Sequence, residues 1–406
     1  MPVKKRLLIF AWEYDGYHSE RGAALARRIR QVAESFNLNN WEVVVIHKDN
    51  QNECAESPFL VTTEKNGIKR ISVRSGKDID SFHGNLFIRK LETLFYIAFR
   101  GDRSYFWGRE VIGQFADFGL REKPDYILSF YTPRAPLLLG HYFSKKLGVP
   151  WIADIQDPIY QGISNQSKSF AKLWMKNILK TAKSIVHISP EWAEADGREI
   201  GRKMTTIRHA VPEDSPKIPS DFDAQFNIRF GDSFNVFYGG SLSPFIQSLT
   251  LLNRVVQYAL SINIKVRLLI AGNQGAYDLF KQEFGEQVAV HLGWLTPQQM
   301  NDYVHCCNCT LAVPWSKERI GVPSKFYELC SYKKPIWIIG NDIGGFASIL
   351  NEWKHPAIPI DDLEYQKKAL ISAAAKNDYS LMFDINNSTG KVVRANDIYD
   401  EYRAVL

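Results

Sequence analysis

Residues 318–340 read ERIGVPSKFYELCSYKKPIWIIG, and this stretch decides the fold of the chain. Gly321 and Pro323 hold a loop open, and Ser324 is a favourable N-cap residue for a helix. The apolar residues that follow it at helical spacing give that helix one buried face, and Pro335 ends it. The last five residues are apolar and predict a buried strand. The pattern therefore predicts loop, helix, turn and strand, which is the repeating unit of a parallel α/β sheet.

The start of this predicted helix is suited to an anion. Its free N–H groups, the Ser324 hydroxyl and the Lys325 ammonium favour a phosphate. Glu328 lies four residues after Ser324 and projects from the same helix face, where a carboxylate suits a diol such as ribose. A structural alternative stays open, in which Ser324 only caps a core helix and Glu328 only complements its dipole.

The Gly-x-Pro-Ser-Lys-x-x-Glu sequence, the short helix, the Lys-Pro turn and the apolar strand resemble the nucleotide-sugar donor loop of glycosyltransferase family 4. The resemblance implies a GT-B fold, an α/β architecture of two facing Rossmann-like domains with an interdomain cleft. It also implies that the loop around Pro323 holds the donor diphosphate and that Glu328 binds the ribose hydroxyls. Many members carry another glutamate seven residues earlier, where this chain has Ile320. Glu318 is the nearest acid and is a candidate for that catalytic role.

The second half of the chain continues this resemblance. A strand ending in Gly239-Gly240 is followed by an Ala-Gly strand end before Asn273 and by a Leu-Gly-x-Leu segment in which Trp294 is the variable residue. These four positions are predicted to bind the donor. Members usually place an Arg and a Lys just beyond the glycine pair, whereas the first base here is Arg254, so Lys325 is expected to supply the missing charge.

The first half shows the same alternation of strands and helices. A strand over 7–10 leads through a polar and aromatic loop to a helix over 22–36, and the strand 41–46 follows. Ligands of open α/β sheets bind at the carboxyl ends of strands. The family resemblance implies that this loop, with His18, Arg21 and Gly22, lies on the acceptor side.

Two acids follow another predicted strand of the first half. Asp154 and Asp157 lie where carboxylates would face the cleft, and Asp157-Pro158 resembles the family position near the reacting carbon. The predicted role is to orient or deprotonate the acceptor hydroxyl, or to stabilise oxocarbenium charge. The structural alternative for Asp157 is a turn before proline.

Residues 87–99 predict a helix with a large apolar face, and Arg89, Lys90, Arg100 and Arg103 lie near its ends. This composition suits either a helix on a membrane surface or a core helix with solvated ends. The formal charge of +6 permits an anionic ligand or membrane but is too small to indicate nucleic acid. Five cysteines in 406 residues are not a disulfide framework, which favours a cytoplasmic protein, with the inner face of the membrane as a further location.

Metal binding is not predicted. Cys306, Cys307 and Cys309 lack a second ligand pair at a zinc-like interval and are interpreted as small buried residues. Asp78-Ile-Asp80 imitates a metal-binding Asp-x-Asp but follows a polar stretch, so it is interpreted as a loop. Diphosphate departure is expected to need no metal and no cofactor.

The predicted domains are an acceptor-side domain over 1–212, a linker over 213–233 and a donor-binding domain over 234–383, with a segment over 384–406 returning to the first domain. The predicted function is a metal-independent hexosyltransferase that moves a sugar from a nucleotide diphosphate sugar to a glycan or lipid-linked saccharide in polysaccharide biosynthesis. The family resemblance implies that the anomeric configuration is retained. A nucleotide-sugar epimerase and a catalytically silent partner subunit of the same fold are the alternatives.

Overall fold

The structure is a computed structural model that describes residues 4–14, 23–49, 54, 57–75, 104–117, 123–159, 173–213, 220–240, 249–315, 321–342 and 344–406. The chain forms two compact units. Unit 1 comprises residues 1–209 and 395–406, and unit 2 comprises residues 210–394.

Unit 1 is built on an eight-stranded sheet with the order β3-β4-β2-β1-β5-β6-β7-β8. Each adjacent pair is parallel except β3 and β4, which are antiparallel at one edge. The strands are β1 (Arg6–Ala11), β2 (Glu42–Lys48), β3 (Phe59–Thr63), β4 (Lys69–Val73), β5 (Tyr126–Tyr131), β6 (Trp151–Ile155), β7 (Ser184–His187) and β8 (Thr205–Thr206).

Helices pack on the sheet of unit 1 and bury its central strands. All five residues of β6 are buried, as expected for a parallel strand covered on both faces. Trp107, Phe143 and Trp151 are large side chains of this core. The helices are α1 (Ala23–Leu38), α2 (Tyr105–Asp117), α3 (Ala135–Leu147) and α4 (Pro190–Ile200).

Unit 2 contains a five-stranded, wholly parallel sheet with the order β11-β10-β9-β12-β13. Its strands are β9 (Phe234–Gly239), β10 (Val266–Ala271), β11 (Ala289–Gly293), β12 (Cys309–Ala312) and β13 (Ile336–Ile338). Its helices are α5 (Ser220–Phe230), α6 (Thr250–Ser261), α7 (Gln274–Phe284), α8 (Pro297–Cys306), α9 (Ser324–Cys330), α10 (Phe346–Glu352) and α11 (Leu363–Lys376).

Residues 213–233, predicted as a linker, include helix α5 of unit 2. Phe226 and Phe230, four residues apart, are buried in a cluster of that unit and pack on each other with ring centroids 5.1 Å apart. The linker is predicted from the prolines before the helix, and this prediction overlooks the apolar face formed by Phe226 and Phe230. The linker prediction therefore does not describe residues 220–230.

The end of the chain returns to unit 1. Residues 395–406 contain helix α12 (Ile398–Arg403), in which Ile398 and Tyr402 are fully buried. Tyr399 contacts Phe36 of α1, with ring centroids 5.0 Å apart. No helix in the described parts of the chain combines the length and the apolar content that a bilayer crossing requires.

Candidate functional site

The carboxyl edge of the unit 2 sheet has the topology of a ligand site. From β9 the chain runs outward through β10 and β11, and it then resumes on the other side of β9 with β12 and β13. Ligands of open α/β sheets bind outside the strand ends at such a reversal. Here the reversal lies between β9 and β12, so the residues that follow β9 occupy its centre.

Glycines end three neighbouring strands at this edge. A Cβ atom on Gly272 would lie 2.4 Å from the carbonyl oxygen of Gly240, and the Gly272 N–H donates to the Gly293 carbonyl at 2.9 Å. The φ angles of Gly240 and Gly272 are 154° and 151°, which side chains disfavour. Gly239, Gly240, Gly272 and Gly293 therefore form a surface of bare backbone, which we call the glycine ledge.

Lys325 lies over one end of the glycine ledge. A Cβ atom on Gly239 would approach the Lys325 Cε atom to 3.4 Å. The Lys325 ammonium forms an ion pair of 2.8 Å with Glu328 and also contacts the Met300 sulfur at 3.1 Å. Lys325 retains 33% of its side-chain exposure and Glu328 retains 14%. The structure thus brings both predicted charged residues to the reversal point, where they pair with each other.

The loop before α9 differs from the prediction in one respect. Pro323, with a ψ angle of 136°, occupies the N-cap position, and no side chain caps the helix. Ser324 is the first helical residue, so the prediction that it is the N-cap residue is wrong. Pro323 holds the extended backbone that an N-cap residue needs, and this moves the serine into the first turn.

Glycines also allow close backbone contacts around the residues of this loop that the structure describes. A Cβ atom on Gly345 would lie 2.6 Å from the Gly321 Cα atom. The Gly344 Cβ position would lie 3.2 Å from the Trp315 carbonyl oxygen. The chain after β13 therefore packs closely on the segments after β12 and before α9, which supports the position of Lys325.

Asn273 and Trp294 follow the other two strands at the same edge. The Asn273 side chain accepts a hydrogen bond from the Ala276 N–H at 2.9 Å and caps α7. Trp294 directly follows Gly293 and is 52% exposed. Asn273 thus has a structural role that the sequence pattern did not indicate, whereas Trp294 presents an indole beside the ledge.

Several predicted residues lie outside the described ranges. They are Glu318, His18, Arg21, Gly22, the helix predicted over 87–99 and Asp78-Ile-Asp80.

Unit 1 has its own reversal point, between β1 and β5, and Asp157 lies near it. Asp157 follows β6, is half-buried, and accepts a hydrogen bond from the Thr132 hydroxyl at 3.1 Å. Thr132 directly follows β5. Asp157 is therefore at the carboxyl edge of the sheet, as predicted, and its carboxylate is oriented by the neighbouring strand end.

Asp154 does not share this position. It is fully buried within β6, and both of its carboxylate oxygens accept hydrogen bonds from the Arg28 guanidinium, at 2.9 and 3.2 Å. The Tyr402 hydroxyl donates to the same carboxylate. Arg28 also donates to the Ile207 and Arg208 carbonyls. This arrangement favours a structural role for Asp154 over the predicted catalytic one.

Buried electrostatics hold this network together. Burial lowers the pKa of Arg28, but the Asp154 carboxylate and Tyr402 outweigh that effect and raise it overall. Burial, with Asp154, raises the pKa of the Tyr402 hydroxyl well above its usual value. His209 is also buried, and burial together with Arg28 lowers its pKa. These shifts favour a charged Arg28 and a neutral Tyr402 in the network.

The cysteines near α8 are poor metal ligands in this fold. Burial and Asp223 raise the pKa of Cys306 to about 12, and burial raises the pKa of Cys307 and Cys309. Metal binding requires thiolates, which these shifts disfavour. Among the residues that the structure describes, no group of three or more His, Cys, Asp or Glu side chains could hold a metal ion.

The two units, each with a mainly parallel sheet, confirm the predicted α/β architecture, and the similar solved structures place the fold in the GT-B class. No protein-family model and no curated protein matches the chain. It is similar in structure to Anabaena HepE in complex with UDP and glucose, at a TM-score of 0.60 and 12% identity over 98% of each chain. It is also similar to the trehalose-6-phosphate synthase OtsA, at a TM-score of 0.60 and 11% identity over 99% of this chain and 96% of that one.

An epimerase shares the fold as well. A putative UDP-N-acetylglucosamine 2-epimerase from Listeria monocytogenes has a TM-score of 0.54 and 8% identity over 99% of this chain and 95% of that one. At these identities the similarity establishes the fold and leaves the reaction open.

Proposed function

We propose that unit 2 binds a nucleoside diphosphate sugar at the carboxyl edge of its sheet and that the protein is a glycosyltransferase. The observation that carries this proposal is the Lys325–Glu328 pair beside the glycine ledge. Bare backbone allows a diphosphate to approach closely, and an ammonium beside it neutralises the charge. The complexes of HepE with UDP and with UDP-glucose support a donor of this class.

Each charged residue of the pair has a separate role in this proposal. Lys325 turns from Glu328 to the phosphates of the donor, and Glu328 accepts hydrogen bonds from the ribose hydroxyls. Trp294 lies beyond the ledge, on the side away from Lys325, and contributes an aromatic surface to the same donor. Charge on the leaving diphosphate is met by Lys325 and the backbone N–H groups of the ledge, without a metal ion.

The acceptor in this proposal is a glycan or a lipid-linked saccharide, and its hydroxyl is oriented or deprotonated by Asp157. Transfer retains the anomeric configuration, in line with the glycosyltransfer with retention studied in a trehalose-6-phosphate synthase of similar fold. A lipid-linked acceptor would place the protein at the inner face of the membrane, where the basic segment 87–103 would contact anionic lipid.

Calorimetry with UDP and uridine tests the donor site. Lys325→Ala should weaken UDP binding far more than uridine binding, because only UDP carries the diphosphate. Glu328→Ala should weaken both by roughly ten- to a hundredfold, the effect of losing hydrogen bonds to a charged group. The parent should also discriminate against 2′,3′-dideoxy-UDP, and the Glu328→Ala protein should not.

Lys367→Ala is the matched control for this experiment. Lys367 pairs with Glu364 at the same spacing of three residues, with 2.8 Å between the ammonium and the carboxylate, but it lies on α11. Its loss should leave UDP binding unchanged. If Glu328→Ala still discriminates against the dideoxy nucleotide by the parent's factor, Glu328 does not bind ribose and the proposed donor site is wrong.

An epimerase is the second candidate, supported by the Listeria structure of the same fold. A silent partner subunit is the third, because no residue between Gly240 and Arg254 is basic. Incubation with UDP-glucose and UDP-N-acetylglucosamine separates the three. Slow UDP release favours the transferase, and a 2-epimer product favours the epimerase. UDP binding without turnover favours the partner subunit.

A further inference from the structure

Glu13 lies beside the reversal point of the unit 1 sheet. β1 has β2 on one side and β5 on the other, and the chain continues outward from both. Phe10 of β1 pairs with Ser129 of β5, and Glu13 and Thr132 each follow three residues later. Two adjacent strand ends therefore carry Glu13 and Thr132, and Thr132 holds Asp157 by a hydrogen bond of 3.1 Å.

One carboxylate oxygen of Glu13 has no hydrogen-bond donor. Its Oε2 atom is buried, and none of the residues that the structure describes donates a hydrogen bond to it. Burial raises the pKa of Glu13, and the nearby Lys48 ammonium acts in the opposite direction. A buried oxygen without a donor is rare in folded proteins, and the position of this one at a reversal point suggests that a ligand supplies the donor.

The surroundings of Glu13 limit the chemistry of that ligand. Trp12 is half-buried and packs edge-on against Trp107, with ring centroids 5.7 Å apart. The Lys48 ammonium lies 4.7 Å from the Trp12 ring centroid. An aromatic ring, an ammonium and a carboxylate thus meet at the ends of β1 and β2. Such a mixture of apolar surface and hydrogen-bonding groups suits a sugar ring.

Groups of both signs lie near this site, namely the Glu13 and Asp157 carboxylates and the Lys48 ammonium. An anionic ligand would be repelled by the two carboxylates and a cationic ligand by Lys48, so neither suits all three groups as well as a neutral ligand does. A hydroxyl group donates a hydrogen bond without carrying charge. The ligand that satisfies these residues together is therefore neutral and rich in hydroxyl groups.

We propose that Glu13 accepts a hydrogen bond from a hydroxyl group of a neutral saccharide bound at the carboxyl edge of the unit 1 sheet. The identity of this saccharide as the acceptor rests on the proposed function, whereas the subsite itself does not. Glu13 and Asp157 then contact different parts of one saccharide.

Saturation-transfer NMR tests this subsite with the methyl glycosides of glucose, galactose, mannose and N-acetylglucosamine. The parent protein should transfer saturation to at least one of them. Glu13→Ala removes the acceptor atom and should raise its dissociation constant roughly tenfold or more, since a hydrogen bond to a charged group is lost. Glu13→Gln keeps the size and one acceptor oxygen, so it should fold as the parent does and weaken binding less.

Glu194→Gln is the control, because Glu194 is an acid of unit 1 whose side chain is 72% exposed on α4. It should bind the glycosides as the parent does. Calorimetry with UDP separates this inference from the donor site: all three variants should bind UDP like the parent, whereas Lys325→Ala should still bind the glycosides. If the parent binds none of the glycosides, or if Glu13→Ala binds them with parental affinity, the subsite is wrong.

Discussion

Asp154 and Asp157 lie three residues apart, and their environments assign them different roles. Asp154 points into the core of unit 1 and is held by Arg28, so a ligand has no route to its carboxylate oxygens. Asp157 follows the strand, is half-buried, and accepts a hydrogen bond from the Thr132 hydroxyl. A carboxylate at a strand end can act on a substrate hydroxyl, whereas a buried paired carboxylate stabilises the fold.

Asp157→Asn should lower the rate of sugar transfer about a hundredfold or more and leave UDP affinity nearly unchanged. The proposed role is exercised on the acceptor or on developing charge, and the amide keeps the size and one acceptor oxygen for Thr132. Turnover and UDP calorimetry measure the two effects. Thr132→Val is the control for orientation, with a smaller expected loss. A fall in thermal stability that accounts for the lost activity would support the turn-forming alternative for Asp157.

The sequence predicts single residues well where the interaction is local. The sequence Thr296-Pro-Gln-Gln299 has the pattern of a capping box, and the structure forms one, in which each side chain bonds the backbone of the other residue. The Arg28–Asp154 pair spans 126 residues, and no local pattern distinguishes Asp154 from Asp157. Glu13 was missed for the same reason, because its unpartnered oxygen depends on strands that are distant in the chain.

At the scale of elements, the glycine ledge depends on strand order more than on any one motif. The sequence predicts strand ends at Gly239-Gly240 and at Ala271-Gly272, but it does not state that β10 lies between β9 and β11. Close contact between Gly240 and Gly272 results from this order and from parallel register. The sequence therefore predicts the strands, and the ledge emerges only when the sheet is assembled.

Gly272→Ala should destabilise unit 2 by about 2 kcal/mol or more. The new Cβ atom would meet the Gly240 carbonyl oxygen at 2.4 Å, and the φ angle of 151° disfavours any side chain. Such a loss corresponds to a fall of roughly 4–8 °C in the melting temperature of a unit of this size. The melting temperature measured by calorimetry and the affinity for UDP should both fall.

Gly275→Ala is the control for this prediction. A Cβ atom there would have no neighbour closer than 3.9 Å, and the residue lies in helix α7, where alanine is favoured. Its melting temperature should equal or exceed that of the parent. If the two variants are equally stable, the backbone of the glycine ledge can accommodate the added Cβ atom without a loss of stability, and the prediction is wrong.

At the scale of the whole molecule, unit 1 contains residues from both ends of the chain. Residues 395–406 belong to unit 1 although residues 210–394 form unit 2. Tyr402 fills the core beside Phe36, and the Ser184 hydroxyl donates to the Val405 carbonyl at 2.8 Å. The stability of unit 1 therefore depends on residues synthesised after all of unit 2.

Tyr402→Phe should destabilise unit 1 by about 1.5–3 kcal/mol and leave unit 2 unchanged. The ring stays, but the hydroxyl that donates to Asp154 and accepts from Arg28 is lost inside a buried charged network. Arg28→Met should cost about 3–5 kcal/mol, because it leaves Asp154 buried without a partner. Truncation after Arg394 removes the hydroxyl together with the packing of α12 and should cost more than Tyr402→Phe.

Hydrogen exchange followed by mass spectrometry localises these losses. Peptides covering β6 of unit 1 should exchange faster in the Tyr402→Phe protein, whereas peptides covering β9 of unit 2 should exchange as in the parent. Tyr399→Phe is the control on the same helix, since the Tyr399 hydroxyl bonds Trp41 at 3.2 Å outside the charged network. It should cost less, about 0.5–1.5 kcal/mol. Equal effects of the two tyrosine variants would show that α12 stabilises unit 1 by packing alone, without a contribution from the Arg28–Asp154 network.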